Sequence, residues 1–102
     1  MFELINDWNE ALYRRIAKKS CSKQAELDVK YFRWLVYHRA NYQILNFRLE
    51  ETAIILAGMS KKSVRVIVVA VDKEQQGQGI ATKLLKYIEI LGQKNGCENV
   101  TR

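Results

Sequence analysis

Val66-Ile67-Val68-Val69-Ala70-Val71-Asp72-Lys73-Glu74-Gln75-Gln76-Gly77-Gln78-Gly79-Ile80-Ala81-Thr82 is the stretch on which the fold turns. Its first six residues are the longest apolar run in the chain. A strand that is apolar at nearly every position is covered on both faces, as a central strand is, and residues 64–71 are read as that strand. Residues 72–78 are polar and carry the first of two close glycines. A helix is expected from near Gly77 or Gly79 to Asn95, with Ala81, Leu84, Leu85, Ile88 and Leu91 as its buried stripe. Gly96 stands where a helix stops on a residue of positive φ. Residues 97–101 read as the next strand. A strand, helix, strand series implies a right-handed crossover between parallel or near-neighbour strands.

The glycines fall where strand gives way to helix. The first turn of a helix leaves backbone N–H groups without internal acceptors. The aligned peptide dipoles add partial positive charge there, and together these make an anion site. A Cβ at Gly77 or Gly79 would hold a diphosphate away from those amides and crowd the turn; Ala81 is small enough to allow the same approach. No acidic or metal-binding residue stands at the turn, so no metal is expected. Two familiar phosphate motifs do not fit. The P-loop needs a longer glycine-rich loop ending in lysine and serine or threonine, and the dinucleotide fingerprint needs a third glycine where Thr82 stands.

Working outward, residues 2–5 read as a short strand. Asp7 reads as an N-cap with Glu10 completing a capping box, and Trp8, Leu12 and Ile16 mark one helix face. A second helix is expected from Gln24 or Glu26 to Ala40, with Leu27, Tyr31, Trp34, Leu35 and His38 at helical spacing. Tyr42 and Ile44, then Leu45, Phe47 and Leu49, suggest a strand with an irregularity where the phase changes. Residues 52–56 give a second strand, and residues 58–63 the turn before the central one.

The 102 residues make one domain, 48% hydrophobic and 27% charged, the balance of a globular chain. Lys and Arg outnumber Asp and Glu by 17 to 11, a net charge of +6. This suits polyanionic ligands such as nucleic acid or the phosphates of a nucleotide cofactor, and equally an ordinary solvated basic face. The lysines form no dense stripe and no recognised nucleic-acid motif is present, which argues against nucleic acid. The apolar run is far short of the roughly 20 residues that cross a membrane. Residues 1–6 lack the basic-then-apolar pattern of a leader. A cytoplasmic protein is therefore expected, with Cys21 and Cys97 as free thiols.

Residues 64–102 resemble the central motif of the GNAT N-acetyltransferase superfamily. That motif reads Gln or Arg, two residues, Gly, one residue, then Gly or Ala, here Gln76-Gly77-Gln78-Gly79-Ile80-Ala81. The preceding Val71-Asp72, the following Thr82-Lys83-Leu84-Leu85, and Gly96-Cys97 look similar to the family as well. Over residues 1–63 the resemblance rests on element order. It implies an α/β acyl-CoA N-acyltransferase fold, a mixed central sheet flanked by helices. Residues 64–102 would be the cofactor-binding core of a single GNAT-like domain spanning 1–102, with acetyl-CoA as cosubstrate. The backbone of Val69, Ala70 and Val71 would pair with the pantetheine arm. The amides of Gln76, Gly77, Gln78, Gly79, Ile80, Ala81 and Thr82 would hold the pyrophosphate, with Lys83 or Lys86 near a more distant phosphate and Gln76 itself mainly structural. The acetyl group would pass to a primary amine by direct attack, a backbone N–H of Ala70 or Val71 polarising the thioester carbonyl.

The chain departs from the family where catalysis is concerned. Family members often carry an acidic base on the central strands, and residues 64–71 contain none. Glu50 and Glu51 read as solvent-facing turn residues, Asp72 as a turn residue, and His38, although an imidazole can relay a proton at neutral pH, as structural. The family usually continues with another helix and two strands that supply a tyrosine to protonate the thiolate. None of Tyr13, Tyr31, Tyr37, Tyr42 and Tyr87 holds that position, so the fold is expected to be C-terminally truncated. An edge strand with unpaired backbone groups points to a partner, to a homodimer that covers the edge, or to a fragment. Two functions remain open: an N-acetyltransferase, or a non-catalytic acyl-CoA-binding or protein-interaction module on the same scaffold.

Overall fold

A computed structural model describes residues 9–38 and 43–101, without the side chains of residues 33–38. The elements run α1 (Glu10–Lys19), α2 (Lys23–His38), β1 (Gln43–Leu49), β2 (Ala53–Met59), β3 (Ser63–Val71), a 3₁₀ turn (Lys73–Gln75), α3 (Ile80–Lys94) and β4 (Asn99–Thr101). The sheet order is β1-β2-β3-β4. β1, β2 and β3 form an antiparallel meander, and β4 lies parallel to β3 after the α3 crossover. This is the mixed α/β sheet expected.

Each face of the sheet carries its own core. Leu45, Phe47, Ala53, Ile55, Ala57, Met59, Val64 and Val66 pack with Leu84 and Ile88 of α3. On the opposite face Ile54, Leu56, Val68 and Ala70 pack with Tyr13, Ile16 and Ala17 of α1 and Ala25, Val29 and Phe32 of α2. All seven residues of β2 are buried, so its side chains serve both cores alternately. In β3 the alternation breaks. Leu56 faces Val68 and Ala57 faces Val66, leaving Ile67 without a partner on β2. That bulge puts Ile67 and Val68 on the same side, so β3 changes which residues it gives to each core halfway along.

Several expectations shift in detail. Asp7 and Trp8 lie outside the described residues. The N-cap of α1 is Asn9, whose Oδ1 accepts from Leu12 N at 3.1 Å. Asn9→Ala is expected to destabilise the fold by about 1 kcal/mol, read as a lower urea midpoint at unchanged slope. In α2 the stripe is out of phase with the one read from sequence. Ala25, Val29 and Phe32 are buried, while Leu27 and Tyr31 are 57% and 53% exposed. The large side chains suggested one face, but the sheet accepts the row that begins with small Ala25. Strand β1 pairs in unbroken register with β2. Its change of phase reflects burial on both faces, Ile44 against the α1–α2 core and Leu45 against the α3 core; the irregularity belongs to β3. Gly58 lies within β2 rather than in the following turn. Gly96 ends α3 at φ 81° as expected. Gly92 lets α3 sit close to the sheet, since a Cβ there would come within 2.9 Å of Val64 Cγ2.

Candidate functional site

The loop after β3 is held from both ends. Asp72 caps the 3₁₀ turn, its carboxylate accepting from Glu74 N at 3.0 Å, so it is the turn residue the sequence suggested. Gln76 Nε2 donates to the Val71 carbonyl at 3.0 Å and to the Ser20 carbonyl at 3.4 Å. One side chain thus ties the loop to the end of its own strand and to the turn between α1 and α2. This agrees with a structural role for Gln76. Gln76→Ala is expected to cost about 1 kcal/mol of stability and to weaken anion binding several-fold, measured by denaturation and by titration with CoA.

Gly77 and Gly79 follow at φ 87° and 76°. Gly79 is the N-cap of α3 and offers no side-chain cap, and no acidic residue stands in the helix's first turn. The first helical bond is donated by Lys83 N to the Gly79 carbonyl, so the amides of Ile80, Ala81 and Thr82 precede it and point out of the helix end. A Cβ built on Gly77 or Gly79 meets nothing within 4 Å. The glycines are therefore not needed to avoid crowding within the turn, as the sequence reading had it. They supply the left-handed backbone and keep the space in front of the amides empty. That space is a cavity of about 320 Å³ lined by Val71, Gln75, Gln76, Gly77, Gly79, Ile80, Ala81 and Thr82. An open cradle of outward amides with no carboxylate in its described lining fits a diphosphate.

A second cavity, about 240 Å³, lies further back along the same strand. It is formed by residues 66–69 of β3 with Ser22, just before α2, and Gln24, Ala25 and Asp28 of α2. β4 pairs with β3 only at residues 63–65, so beyond Arg65 that edge of β3 has no neighbouring strand among the described residues. At roughly 3.3 Å per residue, about 13 Å of strand separates the bulged Ile67 from Val71. Of the three strand residues singled out from sequence, Val69 lines this second cavity and Val71 the first, while the Ala70 side chain is buried against α1 and α2. Gln78 lines neither cavity; its Nε2 donates to Gln75 Oε1 at 3.2 Å.

Sequence reasoning missed Asp28 and Gln24. They share one face of α2, and Gln24 Nε2 donates to Asp28 Oδ1 at 2.9 Å. Nothing local marked them, because only the packing of α2 on β3 brings a carboxylate beside residues 66–69. Glu50 and Glu51 lie in the β1–β2 turn, and Glu51 pairs with Arg15 at 3.0 Å with both side chains 59% exposed, the solvent-facing placement expected. The His38 side chain falls outside the described residues. Among the described residues no cluster of His, Cys, Asp and Glu is arranged to hold a metal ion, and no helix is long and apolar enough to cross a membrane.

Solved structures share this architecture. A GNAT family acetyltransferase from Brucella melitensis in complex with acetyl-CoA superposes with a TM-score of 0.72 at 15% identity, covering 96% of this chain and 72% of that one. A GNAT family acetyltransferase from Staphylococcus aureus gives 0.63 at 15% identity, covering 96% and 84%. Glucosamine-6-phosphate N-acetyltransferase from Arabidopsis thaliana gives 0.61 at 15% identity, covering 100% and 82%. No curated protein sequence matches. The sequence model of the Acetyltransferase (GNAT) family matches residues 3–101. With the fold, the glycine cradle at the head of α3 and that match in agreement, the chain belongs to the GNAT acetyltransferase family.

Proposed function

We propose that the protein transfers an acetyl group from acetyl-CoA to a primary amine. The observation that carries this is the alignment of two cavities on one strand, an anion cradle at the Val71 end and a cleft beside the Ile67 bulge. In this reading the amides of residues 76–82 hold the pyrophosphate. The open edge of β3 pairs with the amide-bearing pantetheine arm, which delivers the thioester to residues 66–69. The amine nitrogen attacks the thioester carbonyl carbon. A C–N bond forms and the C–S bond breaks, with CoA leaving as its thiolate. The proton lost by the amine nitrogen passes to a base or to water, and solvent supplies the proton that gives the free CoA thiol. A backbone N–H of β3 polarises the carbonyl, and the chain's main contribution is alignment.

Asp28 is the described carboxylate placed to orient the incoming amine or accept its proton. Asp28→Asn is expected to lower turnover at least about tenfold while leaving CoA affinity unchanged, checked by steady-state kinetics beside calorimetry. The reading as a whole is tested by thiol release from acetyl-CoA with a panel of primary amines. Amine-dependent release supports it. Confirmed CoA binding without any release would favour a non-catalytic acyl-CoA-binding module.

A further inference from the structure

A further cavity lies away from this site, on the solvent side of the helix pair. It is a groove of about 730 Å³ between α1 and α2. Its walls are basic: Arg14, Arg15 and Lys18 on α1, Lys23 and Lys30 on α2, against one carboxylate, Glu26, in the described lining. Arg15 is engaged by Glu51. Arg14, Lys18, Lys23 and Lys30 have no ion-pair partner among the described residues. Leu27, 57% exposed, stands between Lys23 and Lys30 along α2, and Ala11 of α1 lines the same groove. This is the row of α2 that the sequence pattern assigned to the core and the structure turns outward.

We infer that this groove docks an acidic peptide segment of a partner protein, one that carries an apolar residue between carboxylates. The cations of both walls give charge complementarity. The exposed leucine between them gives the apolar contact that a helix or extended peptide seats in such a groove. A phosphate chain would satisfy the cations but leaves Leu27 without a partner. None of the described lining residues is aromatic, so among them a nucleic acid finds no stacking platform. The inference does not depend on acetyl transfer, because the groove shares no described residue with either cavity of the cofactor site.

Fluorescence anisotropy with a labelled Glu/Asp-rich peptide containing a central leucine tests it, with the same peptide bearing serine at that position and labelled polyuridine as comparisons. The leucine peptide is expected to bind, to weaken as salt rises, and to outcompete the serine peptide. Lys18→Glu with Lys23→Glu is expected to weaken binding about tenfold or more, and Leu27→Ser to erase the preference for leucine, with circular dichroism confirming the fold of each variant. Equal binding of the two peptides, tighter binding of polyuridine, or no binding at low salt would overturn the proposal.

Discussion

Gly79→Leu is expected to weaken CoA binding about 100-fold, a loss of about 2.7 kcal/mol, in a protein that still folds. Gly79 stands at φ 76° as the N-cap of α3, where an L-residue costs roughly 1–2 kcal/mol. That penalty falls on stability and leaves a folded majority in a domain of ordinary stability. A Cβ at this position meets nothing within 4 Å beyond its chain neighbours, and Gly79 lines the cavity in front of the amides, so the added side chain is expected to compete with the anion for that space. Gly79→Asn separates the two effects. Asparagine tolerates the left-handed backbone, so its stability should stay near the parent's while its affinity for CoA still falls. Isothermal titration with CoA, beside thermal melts, reads both quantities. Unchanged affinity in a folded Gly79→Leu protein would contradict the cradle.

The second large effect is at the centre of the sheet. Ile55 is fully buried, faces Phe47 on β1 and Val69 on β3, and belongs to the core beneath α3. Ile55→Ala should cost about 3–4 kcal/mol, from lost apolar burial and from the cavity left behind. This is a large share of the roughly 5–15 kcal/mol that holds such a domain together. Leu27→Ala, on the exposed row of α2, should change stability by no more than about 0.5 kcal/mol. Urea unfolding of the two variants checks both figures. A comparable loss at Leu27 would mean that the assignment of α2's buried face is wrong.

These sites also mark how far the sequence could be read. The strand, glycine turn and helix were legible because each is specified locally. A valine-rich run demands cover on both faces, two glycines permit the left-handed backbone, and an amphipathic stripe ending at Gly96 bounds the helix. The phase of α2 was not legible. Leu27 and Tyr31 are large and apolar enough to suggest a core face, yet the sheet is packed by Ala25, Val29 and Phe32, a choice made by tertiary fit. The bulge at Ile67 was hidden for a related reason. When every residue on both sides of a break is apolar, as over residues 66–71, a change in alternation leaves no trace in the pattern, whereas the two-sided burial of Ile44 and Leu45 imitated one in β1. The candidate site divides the same way. The residues of the anion cradle are neighbours in sequence and form a motif, so they could be named. Asp28 is 38 residues before Val66 in the chain and enters the site only because α2 crosses β3.

The central claim is that backbone amides at the head of α3 receive the diphosphate, and amide chemical shifts test it most directly. Titration of ¹⁵N-labelled protein with CoA and, separately, with pantetheine is expected to move the amide signals of residues 76–82 with CoA alone. Signals from residues 66–69 should respond to both ligands. If CoA binds while the signals of residues 76–82 stay where they are, the diphosphate lies elsewhere and the account fails.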